Sequence, residues 1–127
     1  MIGIVVVAHG GLAKEYLHAV EHVVGRQACI VAISIEPDHD RQQKQDEICD
    51  AANAVDTGYG VVVVTDMFGS SPSNLSLRAC QPENRKIIYG ANLPMLVKLA
   101  KSRHLLVQEA VSTALAAGRK YIDSCDG

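Results

Sequence analysis

The stretch MIGIVVVAHGGLA, residues 1–13, decides how the rest of the chain is read. Its segment IGIVVVA, 2–8, is β-branched, uninterrupted by charge and only seven residues long. Such a run describes a strand buried on both faces, as in a parallel sheet covered by helices. It is too short for a signal peptide or a membrane span. It ends in His9-Gly10-Gly11, where small residues mark a turn into the next element.

Working outward, the same kind of run returns in CIVAISI at 29–35 and GVVVVT at 60–65, and more weakly in KIIYG at 86–90. Helical spacing lies between them. In 12–24, Leu12, Tyr16, Ala19, Val20, Val23 and Val24 share one stripe, and Gly25 follows as a stop. The polar stretch 37–55 opens with acids and carries Ile48, Ala51, Ala52 and Val55 at helical spacing. SPSNLSLRAC reads as a short helix with Ser71 as N-cap and Pro72 in the first helical position. Asn92 and Pro94 open a helix through 103, and a last helix carries Val107, Val111, Ala114 and Leu115, ending near Gly118.

Alternating strands and helices imply right-handed βαβ units and a doubly wound α/β sandwich. The expected sheet is mainly parallel, of order 2-1-3-4, with helices on both faces. The tail RKYIDS, 119–124, is a possible extra edge strand at the C-terminus.

Composition supports one domain over 1–127. A chain of this length buries roughly two-thirds of the surface it exposes unfolded. It is 48% hydrophobic with no Trp and one Phe, so Val, Ile, Leu and Ala must build the core. Net charge is −2 and no basic block exists, which argues against nucleic acid as a partner. Cys29, Cys49, Cys80 and Cys125 lie far apart with no CxxC pair, a spacing that fits reduced thiols in a cytoplasm.

In an open α/β sheet, sites form beyond the C-terminal ends of the strands where the winding reverses. For order 2-1-3-4 that crevice lies between the first and third strands. AHGGLA and TDMFGSSPSN therefore meet, and with them His9 and Asp66. Gly10 and Gly11 let the backbone approach a ligand, and the following helix points unpaired N–H groups at the same space. Gly69, Ser70 and Ser71 contribute a second turn with hydroxyls. Together these make an anion cradle. A histidine in a phosphate cradle is either a phosphate-binding cation or a nucleophile that becomes phosphorylated, and a neutral imidazole is competent near pH 7.

The other histidines receive no role. His18 and His22 have an i, i+4 spacing that could chelate a metal, but they lie opposite the apolar stripe beside Lys14 and Glu21 and read as solvated. His39 and His104 stand outside any motif.

V-x-A-H-G at 6–10, D-M-F-G-S-S-P-S-N at 66–74 and G-A-N-L-P-M-L at 90–96 occur in order, each at a strand end. With these motifs the chain resembles, over nearly its whole length, the enzyme IIA domain of the mannose family of the bacterial sugar phosphotransferase system (PTS). The resemblance implies that His9 accepts a phosphoryl group from the phosphocarrier HPr and donates it to a IIB partner, for sugar uptake or regulation. It implies Asp66 as the orienting carboxylate, Gly10, Gly69, Ser70 and Ser71 around the phosphoryl group, and Asn92 and Leu93 on the rim that partners touch. It further implies a homodimer with a last strand exchanged or packed across the interface. The protein would be cytoplasmic, would need no cofactor or metal, and would meet the membrane only through a permease.

Two departures stand out. Ser70 replaces the second glycine of the family's usual Gly-Gly-Ser-Pro, and if that position needs φ > 0 the serine is strained. The chain also ends at Gly127 without a IIB segment, which is read as a free-standing IIA.

Two rival readings share parts of this pattern. A response-regulator receiver has the same topology and a phosphorylated aspartate where Asp66 stands, but it needs acidic residues after the first strand to hold Mg²⁺, and here that place is His-Gly-Gly. A chelatase-like enzyme using His9 as a metal ligand would have one His and one Asp, where zinc takes three or four protein ligands.

Overall fold

Residues 3–9 form the strand at the heart of the sheet, β1 (Gly3–His9), with a parallel neighbour on each side. The computed structural model describes residues 1–67 and 69–127. In chain order, β1 is followed by α1 (Leu12–Val24), β2 (Ile30–Ile35), α2 (Arg41–Val55) and β3 (Val61–Thr65). Then come α3 (Ser71–Ser76), a 3₁₀ turn (Leu77–Cys80), β4 (Arg85–Ile88), α4 (Leu93–Lys101) and α5 (Val107–Lys120). The sheet order is β2-β1-β3-β4 and every pairing is parallel, the doubly wound arrangement expected from the alternation of runs.

Each face of the sheet has its own core because side chains alternate along a strand. Ile4, Val6 and Ala8 of β1 join Val62 and Val64 of β3 beneath α1, α4 and α5, among Ala13, Val20, Leu96, Leu99 and Ala110. Val5 and Val7 join Val61 and Val63 on the other face, against Ile48 and Ala52 of α2 and Leu75 of α3. Each such Val, Ile or Leu side chain contributes about 1.5–3 kcal/mol by leaving water. With both faces apolar, polarity alone does not specify the register of β1. Its N-terminal end does: a Cβ on Gly3 would strike Val55, and Gly3 N–H donates to Gly60 O at 3.0 Å.

The same end carries a buried cation. Arg103 is 5% exposed, and its Nε, Nη1 and Nη2 donate to Ile2 O (2.8 Å), Ala28 O (2.6 Å) and Cys29 O (2.9 Å). One guanidinium thus ties the entrances of β1 and β2 together, far from His9. Burial pushes its pKa down.

Several boundaries differ from the expectation. α2 starts at Arg41 because the Asp40 carboxylate caps Gln43 N–H at 3.0 Å, leaving Pro37 and Asp38 in the loop. α4 stops at Lys101, since Arg103 has to turn under the sheet. The N-cap of α3 is Ser70 rather than Ser71. Arg119 and Lys120 belong to α5, and residues 122–127 contribute no strand, so the possible edge strand in RKYIDS does not form within this chain.

Candidate active site

Parallel pairing sets Val7 of β1 beside Thr65 of β3. The residues that follow, His9 and Asp66, therefore emerge side by side at the switch point. Oδ2 of Asp66 accepts the main-chain N–H of His9 at 3.0 Å and lies 2.7 Å from its ring Nδ1. An ionised carboxylate only accepts, so Nδ1 carries the proton, and in the neutral ring Nε2 holds the lone pair. The Asp66 side chain is 9% exposed and that of His9 is 50% exposed. The carboxylate is thus shielded while the ring it holds is open to a visitor.

Burial by itself would raise the Asp66 pKa. The main-chain N–H of His9, its ring hydrogen bond and its charge outweigh that and hold the carboxyl below the ordinary carboxylate value. Oδ1 of Asp66 is buried and has no hydrogen-bond partner among the described residues.

Gly10 takes φ +55°, which turns the chain out of β1, and its N–H donates to Ile35 O at 2.9 Å. α1 then starts without a side-chain cap, and its first main-chain bond runs from Glu15 N–H to Gly11 O. The amides of its opening turn have no intrahelical partner and lie at the base of His9.

The second loop is tied together internally. Gly69, at φ +78°, donates its N–H to Ser73 Oγ at 2.9 Å, and Ser73 Oγ donates to Ser70 O at 3.1 Å. Asn74 Nδ2 donates to Gly69 O at 3.3 Å, and Ser70 Oγ to Met67 O at 2.7 Å. Ser70 has φ −83°, so the serine in place of glycine is unstrained and the anticipated penalty is absent. The Gly10 N–H, the Gly69 N–H and carbonyl, and the Ser70 hydroxyl and carbonyl are therefore engaged within the protein. Ser71 differs: it is half-buried and its hydroxyl makes no bond among the described residues.

Asn92 and Leu93 stand at the start of α4, on the same end of the sheet. The Asn92 side chain bridges two elements, accepting Met95 N–H at 3.0 Å and donating to Gly118 O at 2.9 Å. Leu93 is half-buried against the α1–α4–α5 core. Ala91 N–H donates to Thr65 O and Ala91 O accepts from Tyr16 Oη, both at 3.1 Å. Ser73, Asn74 and Tyr16 were given no part by sequence reasoning. The first two stand inside the D-M-F-G-S-S-P-S-N string, which was their signal; nothing local marks Tyr16 apart from its place on the apolar stripe of α1.

The remaining histidines lie elsewhere. His18 is exposed, with Nδ1 3.8 Å from Glu15, and His39 Nδ1 lies 2.7 Å from Glu36 O. His22 and His104 are exposed. Among the described residues no group of three or more His, Cys, Asp or Glu side chains converges as a metal site would require, and no helix is long and apolar enough to cross a membrane.

Fold and site together define a doubly wound α/β protein with a carboxylate-oriented histidine at its switch point. The chain belongs to the family described as the PTS system fructose IIA component, whose model matches residues 3–117. It is 30% identical over 124 residues to the PTS system mannose-specific EIIAB component of Escherichia coli (strain K12), a match covering 95% of this chain and 38% of that protein. The chain thus spans well under half the length of that relative. It is 28% identical over 123 residues to the PTS system sorbose-specific EIIA component of Lacticaseibacillus casei, covering 95% of this chain and 88% of that protein. The crystal structure of phosphotransferase system component EIIA from Streptococcus agalactiae matches the fold with a TM-score of 0.88 at 24% identity, covering 98% of this chain and 97% of that one. The chain is a mannose-family IIA component of the PTS.

Proposed function

We propose that this IIA component is a phosphohistidine carrier, accepting a phosphoryl group from HPr on Nε2 of His9 and passing it to a IIB partner. The observation that carries the reading is the grip of Asp66 Oδ2 on both Nδ1 and the main-chain N–H of His9. That grip fixes the tautomer and leaves Nε2 as the nucleophile. In the accepting step the P–N bond of the donor phosphohistidine breaks, its electron pair returns to the donor ring, and a P–Nε2 bond forms. Positive charge builds on the His9 ring and the Asp66 carboxylate offsets it. Onward transfer breaks the P–Nε2 bond and restores the lone pair.

Ser71 supplies a hydroxyl to the phosphoryl oxygens, because it is the cradle serine whose hydroxyl has no partner among the described residues. Gly10 and Gly69 shape the two turns through positive φ, and Leu93 contributes apolar surface to the rim. We further propose one domain over 1–127, located in the cytoplasm, working as a homodimer that serves sugar uptake or regulation. Support for the dimer comes from the outer position of β4 in the sheet. Beside it is a cavity of about 360 Å³ lined by Ile87, Val111, Leu115 and Ile122, the last from the tail.

The test is phosphorylation by phosphoenolpyruvate, enzyme I and HPr. One phosphoryl group per chain is expected, lost in His9→Ala and kept when His18, His22, His39 or His104 is replaced. Persistent labelling of His9→Ala would sink the proposal.

A further inference from the structure

We infer that Tyr16 is a positioning residue for phosphoryl transfer, whose hydroxyl holds the Gly90–Asn92 loop, the rim on which the phosphodonor protein docks, in register with His9. The inference rests on the phosphohistidine reading above and adds to it how the docking rim is coupled to the reacting ring.

The argument starts from the short path between the two residues. Only Gly10 and Gly11 separate His9 from α1, and Tyr16 comes about one turn into that helix. A helix is stiff over this distance, so the phenol is a lever fixed to the His9 end of the sheet. Its ring is half-buried in the core shared with α4 and α5. Its Oη reaches across 75 residues of sequence to donate to Ala91 O at 3.1 Å.

Ala91 is held from the other side as well, since its N–H donates to Thr65 O at 3.1 Å, the residue before Asp66. The two elements that deliver the reacting pair therefore grip one residue of the loop, α1 through its carbonyl and β3 through its amide. Asn92 follows at once and anchors the loop to α4 and α5 through Met95 N–H and Gly118 O. Gly90 takes φ +80°, so the turn out of β4 has the freedom that these bonds remove. Burial first, and the Asp66 charge second, raise the phenol pKa. The hydroxyl thus stays protonated and remains a donor at neutral pH.

Tyr16 makes no hydrogen bond to His9 or Asp66 among the described residues. Removing its hydroxyl should loosen the rim and leave the nucleophile untouched. A purely structural Tyr16 would affect melting temperature without touching donor binding.

The experiment compares wild type with Tyr16→Phe using two donors, phosphorylated HPr and the small molecule phosphoramidate, which labels histidine without docking a protein. Loss of one neutral hydrogen bond corresponds to about a three- to tenfold rise in KM for phospho-HPr. The kcat at saturation should stay within about twofold, the pattern of an interaction made equally in ground and transition states. Labelling by phosphoramidate should run at the wild-type rate. An unchanged KM for phospho-HPr overturns the inference, and so does an equal slowing with both donors, which would put the effect on His9 itself. A double-mutant cycle with Leu93→Ala checks the assignment independently: coupling through the rim makes the two KM effects non-additive, whereas additivity counts against it. If phospho-HPr fails to label His9 in the wild type, the phosphohistidine reading falls and this inference with it.

Discussion

Asp66 meets His9 at two points through one oxygen, with Oδ2 2.7 Å from the ring Nδ1 and 3.0 Å from the main-chain nitrogen. The main-chain bond anchors the carboxylate to the end of β1 whatever the ring does. In the proposed phosphohistidine mechanism, Asp66 would thereby be placed before the phosphoryl group arrives and remain placed after it leaves, with no reorganisation needed as charge develops.

Asp66→Asn keeps the shape and can keep an acceptor oxygen toward both N–H groups, but it removes the charge. Transfer to His9 should slow by about 10²–10⁴-fold in a folded protein. Rapid-quench labelling from phospho-HPr measures this. The product should be acid-labile and alkali-stable, as a phosphoramidate is. A hydroxylamine-sensitive acyl phosphate, lost in Asp66→Asn and retained in His9→Ala, would assign the chemistry to Asp66 instead.

The two neighbouring serines should behave differently. Ser71→Ala removes a hydroxyl with no partner among the described residues and should cost about 10- to 100-fold in transfer rate, the scale of one hydrogen bond to a charged group. Ser70→Ala removes a hydroxyl already donating to Met67 O and should stay within about threefold. Single-turnover rates with both variants decide it, and equal effects would contradict the assignment.

Acid titration offers a check on the carboxylate. The folded-state pKa of Asp66 lies below its ordinary value. Its contribution to stability is therefore complete above the unfolded value, near pH 3.9, and is lost as pH falls through the lower folded value. Melting curves of wild type and Asp66→Asn should run parallel above about pH 5 and converge below about pH 4. Curves that stay parallel down to pH 2 would show that the carboxyl is not held in its ionised form. Asp56, also lowered, by the Gly58 N–H against burial and then by Arg85, is common to both proteins and cancels.

At the opposite end of the sheet, Arg103→Met should keep the aliphatic stem and remove the donors to the carbonyls of Ile2, Ala28 and Cys29. A loss of about 1–3 kcal/mol is expected, the scale of one buried acceptor left unpaired, because Ile2 is buried whereas Ala28 is exposed and Cys29 O keeps the Ile4 N–H at 3.1 Å. Denaturant midpoints measure it, and a loss under about 1 kcal/mol would mean that water replaces the guanidinium easily. Labelling of His9 in the folded fraction should be unaffected.

The dimer proposal is checked by sedimentation. The expected species at micromolar concentration is the dimer, weakened by Ile122→Asp, which puts a charge where the tail meets the cavity beside β4. A monomeric wild type removes this part of the proposal and leaves His9 phosphorylation standing.

What the sequence determined by itself was the strand order and the meeting of His9 and Asp66. Apolar runs such as 2–8 and 60–65 average the burial of many residues, so their meaning survives small errors of boundary. The handedness of βαβ crossovers then leaves few ways to wind four strands, and His9 and Asp66 have to meet wherever β1 and β3 end together. Helix ends were less legible, as Ser70 against Ser71 shows, because a cap depends on the dihedral angles of one residue. Only the tertiary structure decided which cradle groups are free. Gly69, Ser70 and Ser71 look alike as polar loop residues, yet Ser73 and Met67 occupy the first two and leave the third. The Tyr16–Ala91 bond and the Arg103 clamp have the same origin. A hydrogen bond across 75 or 101 residues requires two elements to be placed within a few tenths of an ångström. Local composition carries no such information, because that placement is set by how every helix packs against the sheet.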